Sequence, residues 1–355
     1  MSYYTDMLKR VEELKSKSGV KVLAIESSCD ETSIAIVEDG RKILSNVISS
    51  QIEIHTRFGG VVPEVASRNH ICAINNVLSE ALEKANLTLS DIDAIAVTYG
   101  AGLIGALLVG VNFAKALAYS LNVPLIAVNH IKGHLAANYI SYPTLEPPFI
   151  CLIISGGHTS LFEIKDYINQ NLIGQTLDDA VGEAFDKVAR VVGLGYPGGP
   201  KVEKKAKEGE ANITLVKQNS TKGTFNFSFS GIKTAVINYA HGKEQKGEPL
   251  NEADLCASFQ HFVINELTEK SLNATKKYGY TKLVLAGGVS ANQTLKNHMI
   301  SEGEKAGIEV FAPPPVLCTD NAAMIASAGY YNLLNNVGIS DVDLSAKASI
   351  TYLNN

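Results

Sequence analysis

Two segments of this chain repeat one plan, and that repeat narrows its possible folds more than any other feature. "VLAIESSCDETSIAIVEDG" (22–40) and "ICLIISGGHTSLFEIKDY" (150–167) each read as an apolar strand, a turn of small and polar residues, and a second apolar strand. Each predicts a β-hairpin that opens a new half. Farther along each half come a strand, a glycine-rich turn and a helix, in "DIDAIAVTYGAGLIGALLVGVNFAKALAYS" (91–120) and "YTKLVLAGGVSANQTLKNHM" (280–299). A hairpin followed by a β–α unit, made twice, predicts a duplicated α/β fold of two lobes with a central cleft. In such folds ligands bind over the strand ends. At 355 residues, each half is large enough to bury its own core. The wider spacing in the second half places insertions around 195–250, where "GKEQKGEP" (242–249) reads as a solvated loop.

Several function classes fall away on composition. Apolar residues make up 46% and charged residues 19%, which predicts a folded globular protein rather than a disordered one. The apolar run "AGLIGALLVGV" (101–111) is too short to span a bilayer and soon meets Asn112 and Lys115, so no membrane role is expected. The opening residues mix acids with bases and read as an amphipathic helical extension over 1–19, not as a signal or transit peptide. Five cysteines, at 29, 72, 151, 256 and 318, form no CxxC pair, which argues against a disulfide framework or thiolate metal site and for a cytoplasmic protein. A net charge of −5 with a pI near 5.9 gives no bulk basic footprint. An RNA substrate would need a local basic patch or the help of partners.

The glycine turns favour a nucleotide-like ligand, and a histidine pair leaves an ion open. Glycine turns at "SGGHTS" (155–160), "YPGGP" (196–200), "AGGVSAN" (286–292) and "TYGAGLIG" (98–105) let backbone approach a ligand and offer helix-start N–H groups to an anion. The chain has no GxxxxGK[ST] loop, and "GAGLIG" (100–105) fits a dinucleotide fingerprint poorly because no acid follows about twenty residues on. In "HIKGHLAANYI" (130–140), His130 and His134 stand four apart on one helix face, where two imidazoles can share an ion or simply face solvent. Gly133 leaves room beside that face. Where a zinc-protease HExxH has its glutamate, this chain has Ile131. Asp320, at the mouth of a helix in "PPPVLCTDNAAMIASAG" (313–329), is either an N-cap or a third ligand reaching across from the second half.

Other polar groups have a structural and a chemical reading. Asp30 and Glu31 lie at the first hairpin tip, where acids favour turns but can also orient a substrate amine or a metal-bound water. Glu183, Asp186 and Lys187 stand among apolar neighbours on a helix. "HTRFGGVVPEVASRNH" (55–70), with Arg57, Arg68 and His70, and "FNFSFSGIKTAV" (225–236), with Lys233, combine basic and aromatic groups, which suits either phosphate contact and base stacking or a hydrophobic strand edge with charged neighbours.

Taken in order, "ESSCDETS", "GGVVPEVASRNH", "KALAYSLNVPLIAVNHIKGHL", "ISGGHTSL", "DDAVGEAFDKVARVVGLGYPGGP", "FSFSGIKTAV", "AGGVSAN" and "DNAAMIA" resemble the signatures of one family. These are the tRNA N6-adenosine threonylcarbamoyltransferases of the bacterial TsaD type, formerly called O-sialoglycoprotein endopeptidases. The resemblance covers about residues 20–335 and leaves the extension before Lys21 outside it; His158 in "SGGHT" is similar to the bacterial or organellar branch. It implies an actin-like ATPase, sugar kinase and Hsp70 (ASKHA) fold, with an N-terminal lobe over 20–148 and a C-terminal lobe over 149–321. A helix at about 322–345 would pack back on the first lobe.

The resemblance also implies a site. One divalent metal ion, Fe(II) by family and Zn(II) or Mg(II) otherwise, would be held by His130, His134 and Asp320. Contacts to an adenylate substrate would come from Ile153, Ile154, Ser155, Gly156, Gly157, Asp186, Gly199 and Asn292. Glu203 stands where the family carries aspartate. The implied reaction moves threonylcarbamoyl from threonylcarbamoyl-AMP to N6 of adenosine 37 in tRNAs reading codons that begin with A, with Asp30 or Glu31 as candidate general base. Implied partners are tRNA, a smaller inactive paralogue of the same fold (TsaB type) and a P-loop ATPase (TsaE type). A kinase or ATPase of the same fold, a metallopeptidase and a non-enzymatic scaffold are the alternatives.

Overall fold

The runs 22–25, 94–97 and 125–128 consist of Val, Ile, Leu and Ala with no polar residue, the pattern of strands covered on both faces. In the computed structural model, which describes residues 3–215 and 221–350, they form the middle of a mixed sheet. The chain divides into two units. The first comprises Met1–Glu146, Asp166–Asn169 and Val316–Asn355, and the second comprises Pro147–Lys165 and Gln170–Pro315.

In the first unit, β1 (Lys21–Glu26), β2 (Glu31–Glu38) and β3 (Lys42–Ser50) run antiparallel, and β1 pairs in parallel with β4 (Ala94–Gly100), which pairs in parallel with β5 (Leu125–Asn129). A short strand at Ile339–Ser340 closes the β5 edge. Period-two alternation sends Leu23, Ile25, Ile34 and Ile36 to one face. There they meet α2 (Pro63–Ala85) and α3 (Ile104–Leu121) through Ile74, Val77, Val111 and Ala114. Each such fully buried aliphatic side chain contributes about 1.5–3 kcal/mol. The opposite face carries α4 (His130–Ser141) and the C-terminal helix Ala322–Leu334. A Cβ on Gly329 of that helix would lie 2.7 Å from the Ala96 Cβ, so glycine permits the close helix–sheet approach.

Two readings of the sequence change here. From Ile104 on, the apolar run at 101–111 belongs to an 18-residue helix, α3, which by length and composition alone could cross a membrane. Instead, Ala106, Leu107, Gly110, Val111, Ala114 and Ala118 bury one of its faces in the unit. The chain also rejoins the first unit at Val316, so Asp320 belongs to the same unit as the histidines rather than to the second half. Before β1, α1 (Tyr3–Lys15) buries Met7, Val11 and Leu14, spaced four and three apart as an amphipathic helix requires. The Tyr3 hydroxyl donates to the Val123 carbonyl at 2.6 Å.

The second unit repeats the plan. β6 (Phe149–Ile154), β7 (Thr159–Ile164) and β8 (Gln170–Gln175) are antiparallel, while β6, β9 (Lys282–Ala286) and β10 (Glu309–Phe311) are parallel. The order β10-β9-β6-β7-β8 matches β5-β4-β1-β2-β3, so the duplication read from the hairpins holds at the level of topology. Its core joins Ile150, Leu152 and Ile154 to α5 (Val181–Val191), α6 (Gly198–Ala206), α7 (Ser230–Gln245), α8 (Glu252–Lys277) and α9 (Gln293–Lys305). The segment expected as a solvated loop at 242–249 is partly helical, because α7 continues to Gln245.

Candidate active site

The first unit brings two imidazoles and a carboxylate to one point. β5 passes straight into α4, with the Asn129 side chain accepting from the Ile131 N–H at 2.9 Å as N-cap. His130 and His134 are then the first and fifth helical residues and share a face. Both are buried, and their ring centroids lie 4.6 Å apart. On the C-terminal helix the N-cap is Asn321, whose side chain accepts from the Met324 N–H at 3.1 Å. Asp320, one residue earlier, is thereby left to face the histidines. Its Oδ1 is 3.4 Å from His130 Nε2 and 3.2 Å from His134 Nε2.

The room expected beside Gly133 is already taken. A Cβ there would lie 2.5 Å from Ile325 Cδ1, so the glycine lets the helix that follows Asp320 come close to α4.

The three donors fit one divalent ion. Their ligand atoms lie within 4.8 Å of one another. Metal bonds of about 2.0–2.2 Å place neighbouring ligand atoms roughly 3.0–3.5 Å apart, which the two His–Asp distances already match. Two imidazoles and one carboxylate also leave coordination positions for substrate. Behind His130, Nδ1 lies 3.1 Å from Glu26 Oε2 and 3.2 Å from Ser28 Oγ. Burial works against protonation of His130, but the Asp320 and Glu26 carboxylates outweigh it and push its pKa up to about 9. Burial likewise opposes ionisation of Glu26, and the His130 ring reverses it, so the carboxylate titrates below its ordinary range. Without an ion, this cluster draws in a proton.

Asp30 and Glu31 belong to the same unit and the same electrostatic cluster. The Ser50 hydroxyl donates to Glu31 Oε1 at 3.1 Å. Burial, then repulsion from Asp320 and Asp30, pushes the Glu31 carboxyl up to about 10. A cation on Asp320 would offset the second of these causes.

His70 is not a nucleic-acid contact. It has no exposed surface; its Nε2 donates to the Cys29 carbonyl at 3.0 Å, and its Nδ1 lies 2.7 Å from Thr32 Oγ1. Because a carbonyl only accepts, the proton is on Nε2 and Nδ1 accepts from the threonine. His70 therefore holds the tip of the hairpin that carries Asp30 and Glu31. Arg57 and Arg68 are exposed, and Arg68 pairs with Glu64 at 2.6 Å.

The residues expected to hold an adenylate all lie in the second unit. Ile153 and Ile154 are fully buried, so they can offer a ligand only backbone. The turn Ser155–Gly157 follows, and a Cβ on Gly156 or Gly157 would meet nothing within 4 Å. The start of α5 abuts this turn: the Gly182 N–H donates to the Ser155 carbonyl at 3.3 Å, and a Cβ on Gly182 would lie 2.6 Å from that oxygen. The positive end of a helix dipole is thus set beside two open glycines, an arrangement that suits an anion. One turn on, Asp186 Oδ1 accepts from the Gly198 N–H at 2.7 Å, and burial raises its carboxyl above the usual range. Space around Gly199 is open. Glu203 Oε1 accepts from the Gln293 and Thr294 N–H groups at 3.0 and 3.2 Å, a reach the longer acid makes possible. Asn292 caps α9 through the Leu295 N–H at 2.9 Å and donates to Gln260 Oε1 at 3.1 Å.

The "FNFSFSGIKTAV" stretch is structural. Phe227 and Phe229 are buried in the core, and Lys233 pairs with Asp179 at 2.8 Å. Asp178 accepts from the Ser228 hydroxyl and the Phe229 N–H at 2.6 and 2.7 Å.

Sequence reading passed over Glu26, Ser28 and Thr98, whose hydroxyl donates to Glu26 Oε2 at 2.6 Å. One signal was available: an acid ending a run as apolar as "KVLAIE" must be buried, and a buried acid needs partners.

The sequence model of the family described as TsaD, tRNA N6-adenosine threonylcarbamoyltransferase, matches residues 42–327. The enzyme of that name from Clostridium perfringens is 58% identical over 330 residues, 93% of this chain and 97% of that protein. The one from Clostridium novyi is 56% identical over 329 residues, covering 92% and 96%. Among solved structures, HypF of T. kodakarensis superposes with a TM-score of 0.62 at 14% identity, over 90% of this chain and 48% of that one. Full-length HypF in a phosphate- and nucleotide-bound form gives 0.58 at 15% identity, over 89% and 46%. At such identities the likeness speaks for the fold, a two-lobed ASKHA type.

Proposed function

This chain belongs to the tRNA N6-adenosine threonylcarbamoyltransferase family and is an acyltransferase that forms N6-threonylcarbamoyladenosine in tRNA; we propose how its residues do so. The donor is threonylcarbamoyl-AMP and the acceptor is N6 of adenosine 37 in tRNAs reading codons that begin with A. The convergence of His130, His134 and Asp320 carries this reading. Kinase and metallopeptidase alternatives are not favoured, since the relatives are named as transferases.

A mixed anhydride already contains a good leaving group, AMP, so the chain need not supply a nucleophile. A divalent ion on the cluster, Fe(II) or alternatively Zn(II) or Mg(II), would polarise the donor and offset charge developing on its oxygen. The backbone N–H groups of Gly156 and Gly157, beside the positive end of α5, hold phosphate. Asp186 and Glu203 accept from ribose hydroxyls, backbone at Ile153 and Ile154 lines the nucleotide, open space at Gly199 admits it, and Asn292 keeps the α9 end in place. Glu31, with Asp30, takes the N6 proton; a cation held by Asp320 would favour its ionised form. A TsaB-type paralogue and a TsaE-type ATPase would supply the tRNA-binding surface that a net charge of −5 does not suggest in this chain. A tRNA substrate and five free cysteines support a cytoplasmic setting.

Mass spectrometry of tRNA nucleosides after incubation with threonylcarbamoyl-AMP, metal and partners tests the assignment. Wild type yields threonylcarbamoyladenosine. Glu31→Ala lowers the yield by about 10²–10⁴-fold, the worth of a general base, with donor binding retained. Undiminished yield from Glu31→Ala removes that residue from the chemistry.

A further inference from the structure

We propose that Glu26 is a positioning residue for the metal centre, fixing the tautomer and ring plane of His130 so that Nε2 faces the ion shared with His134 and Asp320. The inference rests on the metal reading of that cluster and adds a residue outside it.

Glu26 ends β1 and has no exposed surface. A carboxylate can only accept hydrogen bonds, and three donors converge on this one. Oε1 takes the Ser28 N–H at 2.5 Å, and Oε2 takes the Thr98 hydroxyl at 2.6 Å and His130 Nδ1 at 3.1 Å. The first two bonds hold the carboxylate itself, because one comes from backbone and the other from the adjacent strand β4. With its place fixed and no proton to give, Glu26 makes Nδ1 the N–H end of the ring. With an ion bound, Nε2 would then be the lone-pair end, on the side of Asp320 Oδ1. Ser28 Oγ, 3.2 Å from the same Nδ1, could not do this alone, since a hydroxyl serves as donor or acceptor.

The other imidazole lacks such a support. His134 Nδ1 is buried with no hydrogen-bond partner among the described residues. The two ligands therefore differ: His134 is oriented by packing and His130 from behind by a carboxylate. Partners behind a metal-binding histidine typically change metal affinity by about 10–100-fold.

Glu26→Gln keeps the size but cannot keep every bond. With its amide nitrogen toward Ser28 it opposes a backbone N–H. With the nitrogen toward His130 it donates to Nδ1 and moves the ring proton to Nε2, where it blocks the ion.

The test measures Co(II) and Zn(II) affinity of the full-length protein by competition with a chromophoric chelator. Glu26→Gln should bind about 10–100-fold more weakly than wild type with its circular dichroism spectrum intact. Ser28→Ala should bind within a few fold of wild type. Equal affinity of wild type and Glu26→Gln overturns the proposal. Failure of wild type itself to bind one equivalent sinks the metal reading instead.

Should Glu26→Gln not fold, proton NMR of the Co(II)-loaded wild type decides. A paramagnetically shifted imidazole N–H protected from exchange is expected from Nδ1 of His130, retained in Ser28→Ala. Its absence from the loaded wild type overturns the proposal.

Discussion

Asp320 and Asn321 divide two tasks that a single residue could have confused. An acid at a helix mouth usually caps it, and capping would have turned the carboxylate toward backbone N–H groups. Asparagine takes the cap, so the aspartate is available to the imidazoles. The same scale explains why His70 could be misread. Beside two arginines in sequence it looked like part of a basic patch, yet it is a neutral tie between Cys29 and Thr32. Burial is the largest cause acting on it and depresses its pKa below the ordinary histidine value. The unfolded chain therefore binds a proton that the folded one resists, and stability falls as pH drops below about 6.5. The loss attributable to one such group is at most about 1.4 kcal/mol per pH unit. Urea unfolding at about pH 7.5 and 5.5 should show a smaller acid loss for His70→Gln than for wild type. Parallel losses in the two proteins would mean that His70 does not titrate in this way.

At the scale of elements, two glycines control how closely the pieces of the site approach. Gly133 lets α4 meet the helix behind Asp320. Gly102 lies against the hairpin: its Cβ would fall 2.5 Å from the Ser28 carbonyl oxygen, and the Leu103 N–H donates to that oxygen at 2.8 Å. The other side of this turn is clasped by the C-terminal segment, where the Lys347 N–H donates to the Tyr99 carbonyl at 2.8 Å and the Gly102 N–H to the Ala348 carbonyl at 3.0 Å. Backbone on both sides leaves a new methyl nowhere to go. Gly102→Ala should cost about 1–3 kcal/mol in chemical denaturation and weaken metal binding through the displaced Ser28. Gly242→Ala, on α7 with nothing within 4 Å of its Cβ, should be neutral or stabilising by up to about 1 kcal/mol. If Gly102→Ala unfolds like wild type, the clasp does not hold the turn. None of this was legible beforehand: Gly133 reads in sequence as leaving room beside the histidine face, and Gly102 as part of a turn open to a ligand. Strands were easier, since the apolar runs of β1, β4, β6 and β9 carry their burial in their composition.

For the whole molecule, the duplicated plan was readable because each hairpin and each β–α unit is local in sequence, and the matching strand orders follow from it. Which unit owns a distant segment is not local. Asp320 looked like part of the second half because it follows β10 in the chain, but the apolar helix after it packs on the β1–β4 side of the first unit. The pairing of His130 with His134 was visible as spacing, whereas Glu26 could be linked to them only through tertiary structure. The central claim concerns the ion on that cluster, and one measurement tests it most directly. Metal-free protein is titrated with a divalent ion while metal content and threonylcarbamoyladenosine in tRNA are read together, in wild type, Asp320→Ala and Asn321→Ala. The account predicts that wild type regains activity at one equivalent and that Asp320→Ala neither retains the ion nor modifies tRNA. Asn321→Ala should do both, at a stability lower by about 0.5–2 kcal/mol. Metal-free wild type or Asp320→Ala modifying tRNA as fast as the loaded enzyme would contradict it.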